Sequence, residues 1–170
     1  MHVEELVARA EIQDVLWTYA RGVDRADFEA MASVYHPEAT DTHSAFDGPG
    51  VEFARQLTNR ERVLPAVGQH HITNIVFDFL GADNARVESY FLAFHPHEEA
   101  EQMRLAIAAG RYLDHFQRRA GQWKILSRKV VMDWTREHVD GTPWSHSDGL
   151  PVQGSRKALG DASYAFFAGG

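Results

Sequence analysis

The 170-residue chain contains no cysteine. Disulfides, thiol nucleophiles and thiolate metal sites are therefore excluded. It has no run of lysine and arginine, and its formal net charge is −7. A nucleic-acid surface would need a basic stripe, and none is written here. No apolar stretch approaches membrane-spanning length, and no cationic N-region precedes a short apolar one. A Gly-rich phosphate loop and an HExxH metal motif are also missing. There is no internal repeat and no low-complexity tract. What remains is the expectation of a cytoplasmic protein acting on a small molecule, with no nucleic-acid or membrane partner.

The length suits one domain with a sizeable core, and the 44% apolar and 11% aromatic content suits bulky packing. Residues 4–23 read as an amphipathic helix, with Ala8, Ile12, Val15, Leu16, Tyr19 and Val23 at helical spacing. Asp24 to Asp27 read as a stop followed by a new start, and residues 27–35 as a short helix ended by Pro37. Residues 39–46 are expected as a strand carrying Asp41 and His43 on one face. A turn at residues 47–50 and a helix over 50–62 follow. The period then changes. Residues 69–80, 85–95, 103–117 and 122–135 read as four strands. The breaks fall at 81–84, 95–99 and 118–121. Helices followed by antiparallel strands imply an α+β layout, with the helices on one face of a curved sheet and a pocket between the layers. Residues 1–140 are expected to form the domain. Residues 141–170 are expected as a tail that folds over the pocket, its own or a neighbour's, with Trp144 or Phe166 near substrate.

The chemistry concentrates in two places. Tyr19 and Asp24 close the first helix, and Gln69-His70-His71-Ile72-Thr73-Asn74 opens the first of the four strands. A carboxylate and an imidazole can move a proton between them near neutral pH without a cofactor. Tyr19 is placed on nearly the same helix face as Asp24, sharing its cavity. Asp24 also has a plain alternative role as an N-cap for the next helix, which Asp27 would fill equally well. His70 and His71 are neighbours on a strand and must point to opposite faces. Alternation with Ile75, Phe77 and Phe79 selects His71, unless a bulge before Asn74 re-aims the pair. Of the 10 histidines, His43 and His95 are expected as polar pocket lining, with Asp41. Asp41-x-His43 and His95-x-His97 each offer two metal-type ligands on one strand face, but no further motif supports a metal. Trp17, Phe91, Tyr112 and Trp134 are candidates for aromatic lining.

The stretches Ala10-Glu11-Ile12-Gln13-Asp14-Val15-Leu16 and Tyr19-Ala20-Arg21-Gly22-Val23-Asp24 resemble the opening of SnoaL-like proteins of the NTF2-like superfamily, a cone-shaped cystatin-like α+β barrel. Tyr35-His36-Pro37-Glu38-Ala39, His70-His71-Ile72-Thr73-Asn74 and Gln122-Trp123-Lys124-Ile125 extend the resemblance over roughly residues 4–135. Within it the chain is most similar to cofactor-free lyases: scytalone dehydratase-like, bile-acid dehydratase-like and dehydrochlorinase-like proteins. The resemblance implies an Asp/His pair in the pocket, falling on Asp24 and His70, a pocket tyrosine at Tyr19 and a pocket arginine at Arg128. One departure stands out. Those dehydratases carry a further carboxylate on the strand at 85–95, where the cavity-facing register here is Ser89, Phe91, Ala93 and His95.

The expected activity is thus that of a cofactor-independent lyase, performing dehydration or a related elimination or deformylation. Its substrate is expected to be bulky and mainly apolar, with aromatic, lignin-derived diaryl and steroid-like polycyclic compounds as candidates. An isomerase or polyketide-type cyclase using the same pair is the alternative, and a non-catalytic binding module the third. The resemblance also implies a homo-oligomer, trimer ahead of dimer.

Overall fold

The computed structural model describes residues 2–59, 68–100, 102–139 and 156–168. The first helix, α1 (Val3–Arg25), buries Ala8, Ile12, Leu16 and Tyr19 along one stripe. Its termini suit the helix dipole, with Glu4 and Glu5 in the first turn and Arg25 in the last. Ala26 closes it in the left-handed region at φ 50°. Asp27 then starts α2 (Phe28–Ser33) by accepting the Ala30 amide hydrogen. Such a cap contributes about 1 kcal/mol. The two helices meet at Gly22, where a Cβ would lie 2.7 Å from Met31 Cγ.

The strand β1 (Tyr35–His43) follows without a loop, so Pro37 lies inside a strand rather than after a helix. It sits in an irregular stretch, between the Tyr35 and Thr40 pairs, where the ladder to β6 (Gln122–Val139) is interrupted. Proline is tolerated where no ladder bond is required. The short β2 (Phe46–Pro49) pairs back on β1, and α3 (Gly50–Thr58) begins directly after it. The remaining strands are β3 (Gln69–Phe79), β4 (Asn84–Glu99) and β5 (Gln102–Arg119). The sheet order is β2-β1-β6-β5-β4-β3.

Two further features differ from the expectation. The sheet is mixed, because β1 runs parallel to β6 while the other neighbours are antiparallel. And β4 runs on through residues 95–99, expected as a break. Its last pair with β3 is Phe94–Gln69, so Pro96 lies where one edge of β4 carries no ladder to disrupt.

The helices cover one face of this curved, open sheet, and the core lies between the layers. Inward positions alternate as the pleat requires: Ala85, Val87, Ser89, Phe91 and Ala93 on β4, and Tyr112, Asp114 and Phe116 on β5, are all buried. Single-residue bulges reset this alternation at three points. Asn74 is skipped in the β3–β4 ladder, and Leu126 and Asp133 in the β5–β6 ladder. Of the C-terminal region, the described part is a 3-10 turn (Lys157–Leu159) and α4 (Ala162–Phe167), packed against the α1–α2 corner.

Gly110 is buried on β5, beside the bulge in the β5–β6 ladder. A Cβ there would stand 2.2 Å from the Val131 carbonyl oxygen and 2.9 Å from Phe91 Cζ. Gly110→Ala is expected to lower stability by at least about 2 kcal/mol, the scale of core overpacking. Urea unfolding measures this, and an unchanged midpoint would contradict the packing described.

Candidate active site

Asp24 stands in the last turn of α1 and reaches across to the start of β3. One carboxylate oxygen accepts from His70 Nδ1 at 2.7 Å and the other from the His70 backbone N–H at 3.1 Å. The capping role open to it in sequence belongs to Asp27. A carboxylate only accepts, so Nδ1 of His70 carries the proton and Nε2 is the basic nitrogen of the neutral ring. Both side chains are largely buried, which strengthens such a charge-assisted bond relative to one in water.

The choice between the two histidines is made by the bulge. Asn74 has φ 24° and is passed over between the Thr73–Tyr90 and Ile75–Ser89 pairs. Before it, His70 and Ile72 stand opposite Ala93 and Phe91; after it, Ile75, Phe77 and Phe79 stand opposite Ser89, Val87 and Ala85. All of these partners are inward residues of β4. Strict alternation would have turned His71 inward, and the extra residue turns His70 inward instead. His71 packs its ring against Phe94 at 5.8 Å.

His70 lies in the wall between two concavities. The larger, about 730 Å³, runs between α1, α3 and the sheet. Tyr19, His43, Phe91, His95 and Tyr112 line it. His95 meets His70 edge to face at 5.0 Å, and His43 stacks on Phe53 at 4.6 Å. Val23, Phe46, Phe53, Leu57, Ala108 and Met132 make most of the rest apolar. Those on α3 and β2 were not anticipated; their signal was the apolar spacing of Phe53 and Leu57 on the helix. The smaller cleft, about 360 Å³, lies on the outer side and holds Asp24, Trp17, Arg21, Arg25 and His71.

Several expected site residues lie elsewhere. Asp24 and Tyr19 do not share a helix face: five residues turn a helix about 140° beyond one full turn, which sends Tyr19 into the core and Asp24 to the outer cleft. Trp17 follows Leu16 by a single position and so is 52% exposed, outside the main cavity. Trp134 is also 52% exposed, because the bulge at Asp133 moves it to the outer face of β6.

Arg128 and Asp41 lie in the core below the cavity. One register row runs Asp41–Arg128–Asp114 across β1, β6 and β5. Arg128 is bidentate to Asp114, at 2.7 Å for each bond, and its guanidinium is sandwiched between Tyr19 at 4.2 Å and Tyr112 at 4.1 Å. Asp114 was legible as an inward position alternating with Tyr112 and Phe116. Asp41 is fully buried and accepts from the Tyr35 hydroxyl. Burial pushes its carboxyl above the usual range, against the pull of Arg128 and Tyr35. Burial likewise drives the Tyr19 and Tyr112 hydroxyls well above the ordinary phenol range, against the pull of Arg128. Tyr19 therefore stays a neutral phenol throughout the neutral range.

The residues of the two pairs that could offer metal-type ligands serve other contacts. Asp41 serves the core, and His43 lies 3.8 Å from it at the cavity wall. Among the described residues, His97, Glu99 and Glu137 bring three ligand-type atoms within 4.8 Å of one another. Arg104 lies against both carboxylates, at 3.0 and 3.6 Å, and supplies the positive charge there.

The profile of the SnoaL-like domain family matches residues 4–129. No curated protein matches. Among solved structures, LinA is 25% identical with a TM-score of 0.73, over 84% of this chain and 97% of that one. The hexachlorocyclohexane dehydrochlorinase LinA-type3 from Novosphingobium barchaimii is 26% identical with a TM-score of 0.72, over 84% and 97%. A protein provisionally named scytalone dehydratase from Novosphingobium aromaticivorans is 23% identical with a TM-score of 0.72, over 87% and 100%; that likeness is one of fold.

Arg128→Met would leave Asp114 as an uncompensated buried charge, at an expected cost of about 3–5 kcal/mol. Adding Asp114→Leu should recover most of the loss. Chemical denaturation of the single and double variants tests this, and a single variant as stable as the native protein would contradict the buried pair.

Proposed function

This chain belongs to the SnoaL-like domain family, and from that premise we propose that it is a cofactor-independent lyase acting on a bulky, mainly apolar small molecule. The observation that carries the proposal is the Asp24–His70 contact at the wall of a large apolar cavity. The similar structures include proteins named for eliminations, a dehydrochlorinase and a dehydratase.

His70 takes a proton from a substrate carbon through Nε2. Asp24 holds the ring in the tautomer that leaves Nε2 basic, and stabilises the imidazolium that forms. Tyr19 donates its hydroxyl to the oxygen or leaving group on which negative charge develops. Arg128 supports this from below, fixing Tyr19 and Tyr112 by its position between their rings. The aromatic wall of Phe91, Tyr112 and Phe53 favours flat apolar or aromatic substrates. His43 and His95 add polar contacts. The protein acts without metal or organic cofactor.

The outer sheet face carries Val76, Tyr90, Leu113 and Trp134, which are 61, 39, 37 and 52% exposed. Apolar surface of this kind favours a closed homo-oligomer, with trimer ahead of dimer. In such an assembly the tail would lie over its own pocket or a neighbour's. Phe166 lies beside the α1–α2 corner and is 75% exposed, away from the main cavity. Trp144 lies outside the described residues.

Assays on hexachlorocyclohexane (chloride release), scytalone (water loss) and a panel of β-hydroxy aryl ketones and lignin-type diaryl compounds test the activity. Asp24→Asn is expected to stay folded and to turn over the accepted substrate at least about a hundredfold more slowly, the scale of lost general acid–base catalysis. His70→Ala should be inactive and His71→Ala near native. Turnover absent across the panel, or native in folded Asp24→Asn, would contradict the proposal. Light scattering tests the assembly: a trimer is expected at micromolar concentration, and a monomer would remove the claim.

A further inference from the structure

The residues that flank Asp24 are each held by a segment more than a hundred positions away in sequence. Arg21, nearly one turn before it, donates from Nη2 to Ser163 Oγ at 3.1 Å. Its guanidinium lies over the Tyr164 ring at 4.3 Å and the Phe167 ring at 5.6 Å. Arg25, directly after it, faces Asp161 at 3.7 Å. Asp27 takes the Lys157 ammonium on one oxygen at 2.8 Å and the Tyr164 hydroxyl on the other at 2.7 Å. Asp27 and Asp161 are 3% and 7% exposed. These are therefore not the loose surface pairs that contribute little.

The arrangement is directed at one short stretch. The contacts run from Arg21, three residues before Asp24, to Glu29, five after it, which Lys157 also holds at 3.0 Å, and none is made to Asp24 itself, whose two oxygens are both given to His70. We propose that residues 156–168 are a positioning element for the Asp24–His70 pair, with Asp27 as their anchor. By gripping Arg21, Arg25 and Asp27 they set the rotation and height of the last turn of α1. That in turn sets whether the carboxylate meets both donors of His70. Hydrogen bonds weaken steeply as the angle closes, and a carboxylate that must satisfy two donors on one residue has little freedom to drift. The corner is also tight from within, since Gly22 leaves no room for a Cβ against Met31.

The anchor holds over a wide pH range. Burial raises Asp27, but Lys157, Tyr164 and the Ala30 amide outweigh it and hold its pKa at about 2. Its contribution to stability is complete above the ordinary carboxylate range and disappears only as pH falls through about 2.

The inference rests on the Asp24–His70 reading above, so its test includes a readout that needs no substrate. In the native protein the Nδ1 proton of His70 should give a low-field NMR resonance, identified by its loss in Asp24→Asn. In the Lys157→Ala/Tyr164→Phe variant this resonance is expected to broaden or vanish through faster solvent exchange. Turnover should fall about tenfold or more with KM little changed, as for a misplaced catalytic group. Asp27→Asn, which keeps the helix cap but loses the charge, should act in the same direction. If the double variant fails to fold, Tyr164→Phe alone provides the comparison. A native resonance and native turnover in folded clamp variants would overturn the positioning role. Native turnover in Asp24→Asn would overturn the functional reading instead, and the resonance alone would then decide the positioning role.

Discussion

A single carboxylate ties the helical layer to the sheet at the point where the cavity is deepest in chemistry. Asp24 spans from the last turn of α1 to the first residues of β3 and engages both the ring and the backbone of His70. The backbone bond fixes where the strand begins relative to the helix. The ring bond fixes how the imidazole faces and which nitrogen is basic. Neither partner is fully buried, so the pair stays within reach of solvent while strengthened by its surroundings.

The contact depends on a backbone irregularity. Without the extra residue at Asn74, the apolar face of β3 and the inward histidine would be out of phase, and a one-residue slip moves a whole set of side chains to the other face. The structure accepts φ 24° at an asparagine, a residue tolerant of this region, and so keeps both. The two β6 bulges act in the same manner. They place Arg128 inward between two tyrosines and send Trp134 outward. Bulges beside a cavity re-aim side chains, and here they separate the ionised core below the site from the apolar wall above it.

How much of this could be read from the sequence follows from the same physics. The long stripe of α1 and the four β strands were legible, because burial on one face leaves a period. Asp24 at the helix end and the His70–Asn74 segment were legible as chemistry. His70 rather than His71 could be chosen only by admitting a bulge. Trp134 was misplaced because a one-residue bulge has no compositional mark, and Arg128, expected at the pocket, lies below it because its partner Asp114 sits in the core. Pro37 and Pro96 were read as breaks because the sequence does not show which strand edges are unpaired. Residues 157–164, which hold Arg21, Arg25 and Asp27, were expected only as part of a tail over this chain's cavity or a neighbour's. A polar grip between distant segments leaves no periodic trace.

The central claim is that Asp24 holds His70 with Nδ1 protonated and Nε2 basic. Nitrogen NMR of the His70 ring in uniformly labelled protein measures this without any substrate. In the neutral ring the account predicts a protonated Nδ1 and an unprotonated Nε2, with that preference weakened in Asp24→Asn. A native protein with the proton on Nε2, or a tautomer indifferent to Asp24→Asn, would contradict it.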